Sequence, residues 1–157
     1  MFCVVILSME ICEIKVDPET LPDLLALSTA WAEEKNCWGY VANDASEYEG
    51  KRVFAAYDDS RMVGYLFGHF HTVPPQRVNG AIPGGAECFE IDELYVLPEY
   101  RSHGIGSALF DHARESVRGA AAYLNLGTAT KDWRSILNFY MDRQGMDFWS
   151  ACLYQKL

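Results

Sequence analysis

The chain has 157 residues, half of them hydrophobic and 13% aromatic, which suits one domain burying its own core and argues against disorder. A formal charge of −9 with no basic stripe argues against a nucleic-acid partner and suits a cationic acceptor, although solubility alone accounts for such a charge. Five cysteines, an odd number without a Cys-x-x-Cys pair, point to reduced thiols and a cytoplasmic protein.

The first apolar run, Phe2 to Leu7, has no basic residue before it and is too short to span a bilayer. Neither a signal peptide nor a membrane anchor is expected. Met9 to Val16 alternates as a strand, and Met9 is a second candidate for the start, leaving residues 1–8 as an N-terminal extension or an extra strand. Asp17-Pro18 and Thr20-Leu21-Pro22-Asp23 are helix-start signals. Leu21, Leu24, Leu25, Ser28, Trp31 and Ala32 then recur at helical spacing. Asn36 to Glu49 reads as a loop with a short helix, and Arg52 to Tyr57 and Met62 to Thr72 as strands joined at Asp58-Asp59-Ser60. Val73 to Ala86, rich in proline and glycine, is a long loop.

Cys88 to Val96 is the next strand, Gly104 to Arg118 an amphipathic helix with Ile105, Ala108, Leu109, His112 and Val117 inward, and Ala122 to Leu126 a short strand. Asp132 to Gln144 reads as a helix stopped near Gly145, and Phe148 to Lys156 as a strand closing the sheet. No internal repeat is present.

The most informative segment joins the Cys88–Val96 strand to the helix after it: Tyr100-Arg101-Ser102-His103-Gly104-Ile105-Gly106-Ser107. The first-turn amides of a helix lack intrahelical partners and lie at the positive end of its dipole. Gly104 and Gly106 carry no Cβ, so a phosphate can approach the backbone there. A P-loop is excluded because no Gly-Lys-Ser/Thr occurs; a dinucleotide fingerprint fails because Leu109 fills the third glycine position.

Arg101, Gly104 and Gly106 do fill the pattern Arg/Gln-x-x-Gly-x-Gly/Ala, preceded by Val96-Leu97-Pro98-Glu99-Tyr100 and followed by Asn138-Phe139-Tyr140 and Gly145-Met146. In these features the chain resembles the GNAT superfamily of acetyl-CoA-dependent N-acetyltransferases, from Met9 onward. The resemblance implies an α/β fold with a mixed, mostly antiparallel sheet flanked by helices on both faces. It implies one acetyltransferase domain spanning residues 1–157 and acetyl-CoA as co-substrate. The expected partner is a small cationic amine, with no metal, nucleic acid or membrane; a homodimer is compatible with it.

An amine with a pKa near 10.4 arrives protonated, so the site must remove a proton before attack on the thioester. Base candidates are Glu90 first and Asp92 second, with Glu93 third and an acceptor contact. Alternation puts Glu90 and Asp92 on one face of the strand and Glu93 on the other. The resemblance gives Tyr140 the task of protonating the departing sulfur. It gives Leu94, Tyr95 and Val96, with Arg101, Ser102, His103, Gly104, Ile105, Gly106 and Ser107, the binding of coenzyme A. Trp133 stands where the family often has a pantetheine-binding Asn. Trp31, Trp38 and Tyr40, near Glu34 and Asp44, are candidate acceptor residues, since aromatics and acids suit an amine. His69 and His71 share a strand face, but their spacing supports no metal site.

Overall fold

The computed structural model describes residues 4–6, 9–76 and 80–156. Among these, six strands form one sheet in chain order: β1 (Val4–Ile6), β2 (Met9–Ile14), β3 (Arg52–Asp58), β4 (Arg61–Thr72), β5 (Glu87–Val96) and β6 (Tyr123–Leu126). β1 to β5 pair antiparallel, and only β6 runs parallel to β5. The expected mixed, mostly antiparallel sheet is therefore present. Val4 pairs with Ile11, so the stretch before Met9 contains a strand; residues 1–3 and 7–8 lie outside the described residues, as do 77–79 of the long loop.

Two helices cover opposite faces. Helix α1 (Leu21–Glu34) starts where Asp17 Oδ1 accepts from the amides of Glu19 (2.9 Å) and Thr20 (3.0 Å), with Pro22 in its first turn. It buries Leu24 and Leu27 against Val53, Tyr65, Phe67 and Tyr95, each such side chain contributing about 1.5–3 kcal/mol of apolar burial. It ends at Lys35 in the left-handed region (φ 53°). Helix α2 (Ile105–Val117) lays Ile105, Leu109, Phe110 and Ala113 on the other face, against Phe54, Leu66, Phe89 and Ile91.

Three expectations fail, each for a physical reason. The face assignment of the strand acids is overturned by a bulge: Phe67 pairs with Glu93 but Gly68 pairs with Ile91, so Asp92 is an extra residue on β5. Beyond that residue the alternation reverses. Gly68 permits the close approach, because a Cβ there would run into the Glu90 carbonyl and the Phe89 ring.

The last predicted helix divides into α3 (Trp133–Leu137) and a wider π turn, Asn138–Arg143, in which the Gln144 amide donates to Phe139 O at 3.1 Å. The wide turn lets two consecutive rings face α2: Phe139 borders Gly106, and Tyr140 packs at a tilt against Phe110, with ring centroids 6.0 Å apart.

Phe148 to Lys156 forms no strand. Phe148, Ser150, Cys152 and Tyr154 alternate with Trp149, Ala151, Leu153 and Gln155, so apolar residues fall on both parities and neither face is selected. Leu153 and Tyr154 remain 91% and 79% exposed.

Candidate active site

The β5–β6 pairing stops at Ile91↔Leu126, one residue before the bulge. From Asp92 to Val96 no described strand pairs with the far side of β5, so this edge of the sheet is left open as a slot. The Leu97 amide donates to Val63 O (2.9 Å) on β4, so strand alternation turns the backbone groups of Leu94 and Val96 away from β4 and into the slot. Their side chains pack toward the α2 face, while Tyr95 is buried on the α1 face.

The slot leads to the turn before α2. Ser102 (φ 64°) and Gly104 (φ 84°) both take left-handed backbone, and the first helical bond is Ala108 N–H to Gly104 O, 2.9 Å. Among the described residues the amides of Ser102, His103, Gly104, Ile105, Gly106 and Ser107 have no backbone acceptor. Six free donors at a helix N-terminus, backed by its dipole, suit a diphosphate. Ile105 is sunk in the core, so it has only backbone to offer; the His103 ring is exposed. Ser107 Oγ accepts from the buried Gln144 side chain at 2.9 Å, fixing the π turn to α2. On the β2 side of the turn lies a cavity of about 290 Å³ bordered by Met9, Ile11, Tyr100 and His103.

Arg101 is placed differently from a phosphate clamp. Its guanidinium forms a two-pronged pair with Glu34 (2.5 and 2.9 Å), donates through Nε to Val96 O (2.8 Å) and lies over the Tyr95 ring. The side chain is committed to holding the turn.

On the α1 face, the bulge brings all three β5 acids to one side. Glu90 lies 3.5 Å from His71 and is the most open. Asp92 Oδ2 is bound by Lys51 (2.8 Å) and His69 (2.9 Å). Glu93 sits deepest: its Oε2 accepts from Tyr65 (2.6 Å), Asn43 (3.0 Å) and Tyr40 (3.3 Å), whereas Oε1 receives no hydrogen bond from the described residues. Burial raises the Glu93 carboxyl above the usual carboxylate range against the opposing pull of those donors. The same burial, with the Glu93 charge nearby, pushes Tyr40 up to about 12.

Trp31 is no open acceptor wall, because Tyr40 packs on it at 4.3 Å and Tyr95 at 5.3 Å. Trp38 is 56% exposed and sits under Lys131. Asp44 caps the short helical turn Ala45–Tyr48 through the Ser46 amide (2.8 Å). Asn43 and Tyr65, which hold Glu93, carry no sequence signal; their bonds to it span 50 and 28 residues.

On the α2 face, Tyr140 is half-buried, and its hydroxyl makes no hydrogen bond to a described residue. Burial raises it, so it is protonated at neutral pH. Asn138 is bonded to Asp142 at 2.7 Å, and Trp133 is half exposed under Arg134. No cluster of three or more His, Cys, Asp or Glu side chains among the described residues could hold a metal ion.

The family model of the Acetyltransferase (GNAT) family matches residues 11–146. The chain belongs to this family. This GNAT protein is an acyl-CoA-dependent N-acetyltransferase. Similar solved structures share its fold at low identity. A ribosomal-protein-alanine N-acetyltransferase from Brucella melitensis biovar Abortus 2308 is 18% identical, with 95% of this chain and 99% of that chain covered at a TM-score of 0.65. An aminoglycoside acetyltransferase from an uncultured soil metagenomic sample is 18% identical, over 96% and 97%, at 0.66. AAC(6')-Iy, in complex with a bisubstrate analogue joining CoA to monomethyl-acetylneamine, is 16% identical, over 95% and 97%, at 0.63. Comparison with curated proteins gives no match. Among the described residues no helix is long and apolar enough to cross a membrane.

Proposed function

We propose that this GNAT protein moves an acetyl group from acetyl-CoA directly to a primary amine of a small cationic acceptor, both held at once. The observation that carries the reading is the slot: Glu93 borders it on the α1 face and Tyr140 packs against α2 on the other. In this reading the amides of 102–107 receive the diphosphate, and the Leu94 and Val96 backbones pair with the pantetheine amides as a neighbouring strand would. Glu93 Oε1 takes the ammonium proton, leaving the nitrogen lone pair to attack the carbonyl carbon. Tyr140 gives its proton to sulfur as the carbon–sulfur bond breaks, the free thiol leaves, and the second proton shed by the new amide nitrogen passes through water to restore the Tyr140 phenol.

Glu93 takes precedence over Glu90 and Asp92 as base, because Asp92 is held in an ion pair and Glu90 is the more solvated. A negative protein, at −9, draws cationic amines toward the site. Cys37, Cys88 and Cys152, which form no disulfide among the described residues, fit a reducing compartment, and we place the protein in the cytoplasm.

The test is thiol release from acetyl-CoA with a panel of diamines, polyamines, aminoglycosides and lysine peptides, each product weighed by mass spectrometry. Acetylation of at least one small amine is expected. Modification of peptides alone would overturn the acceptor class, and no release with any amine would overturn catalysis.

A further inference from the structure

Glu34, the last residue of α1, joins parts of the molecule that lie far apart in sequence. Its carboxylate accepts both prongs of Arg101, the Tyr95 hydroxyl (2.7 Å) and Asn36 Nδ2 (2.8 Å). Burial pulls this carboxyl up, but the bonds from Arg101 and Tyr95 outweigh it and leave it below the usual range. Through Arg101 it reaches the turn whose two left-handed residues present the free amides. Through Asn36 it reaches a second structure on the acceptor face. There residues 36–38 pair antiparallel with 129–131: the Lys131 amide donates to Asn36 O (2.8 Å), the Trp38 amide donates to Ala129 O (2.8 Å), and Cys37 bridges to Thr130. This strap ties the end of α1 to the chain leaving β6, across the side of the slot where β5 has lost its neighbour. The Trp31 indole N–H steadies Asn36 from within, at 3.0 Å.

We propose that Glu34 is a positioning residue that couples the turn before α2 to this strap, so that filling the turn tightens the cover over the acceptor side. The inference rests on the turn being the acetyl-CoA site. Its physical basis is reciprocity: fixing Arg101 fixes Glu34, which fixes Asn36, and an order imposed at one end reduces what remains to be ordered at the other. Arg101 then acts on the turn's shape rather than on the phosphate directly.

Cys37, half-buried within the strap, reports on its closure. The experiment measures Cys37 alkylation by iodoacetamide, located by peptide mass, in the full chain with and without saturating acetyl-CoA. The variants are Glu34→Gln, which keeps the shape but sets an amide N–H against a guanidinium donor, and Arg101→Lys, which keeps the charge but loses the second prong. Acetyl-CoA should slow Cys37 alkylation at least threefold in the wild type and less than 1.5-fold in both variants. Both should also bind acetyl-CoA roughly tenfold more weakly, the scale for one charge-assisted bond near the surface.

Equal protection in the variants at saturation, or none in the wild type despite binding, overturns the coupling while leaving the site reading intact. No acetyl-CoA binding by calorimetry overturns the site reading and the coupling together.

Discussion

Replacing Glu93 by Gln changes one atom and separates the base from its surroundings. Gln can still accept from Tyr65 and Asn43, so the pocket keeps its shape, but it cannot take a proton. Losing a general base costs about 10²–10⁴ in rate, or roughly 2.7–5.5 kcal/mol of barrier. Single-turnover acetyl transfer at saturating amine, followed against pH, is the assay. In the wild type the rate should rise through the Glu93 pKa, above the ordinary carboxylate range, and then level off. In the variant it should keep climbing toward the pKa of the amine, about 10.4, because only the free base reacts.

Stability supplies a second readout. Burial raises Glu93, so its charged form opposes folding. That penalty is absent below the unfolded pKa, about 4.3, and enters as pH rises through the folded value. The melting temperature of the variant relative to wild type should therefore increase from pH 4 to pH 8. A rate within threefold of wild type with an unchanged pH profile would refute Glu93 as the base.

Tyr140→Phe should lower turnover at least tenfold, leave the acetyl-CoA dissociation constant within twofold, and change stability by less than about 0.5 kcal/mol, since the hydroxyl has no partner among the described residues; calorimetry and thermal melting check this. Asp92→Asn and Glu90→Gln should each keep more than a third of wild-type turnover in the same thiol assay. Gly104→Ala should cost about 1–2 kcal/mol through its φ of 84° and weaken acetyl-CoA binding, with Gly104→Asn milder, by chemical denaturation and titration. Glu13 is lowered by its two-pronged pair with Arg52 (both 2.7 Å), so its contribution is present above the unfolded pKa and lost as pH falls through the folded one. Glu13→Gln should thus destabilise by under about 1 kcal/mol at pH 7, given its partial exposure, and by almost nothing at pH 2.

The turn was legible because its chemistry is local. Arg101, Gly104 and Gly106 lie within six residues, and a strand followed by a helix start dictates where the free amides point. The faces of Glu90, Asp92 and Glu93 were not legible, because the bulge that rotates them depends on Gly68, on a different strand. The π turn was hidden for a similar reason: adjacent Phe139 and Tyr140 look like ordinary helical neighbours until α2 supplies Gly106 and Phe110 as their partners. Glu34 was readable as an acid near aromatic residues, but its bond to Arg101 spans 67 positions, beyond any periodicity. The final segment is apolar on both parities, so its composition carries no facial preference and no strand register.

A sheet split between β5 and β6 works as a wall with a window in it. In the reading proposed above, the donor is gripped from one room and the recipient admitted from the other. Mutation among the bulge acids can then refurnish the recipient's side without disturbing the grip, whereas a change at Glu34 or in the strap reaches the grip as well. Such a division lets one scaffold trade recipients over evolutionary time.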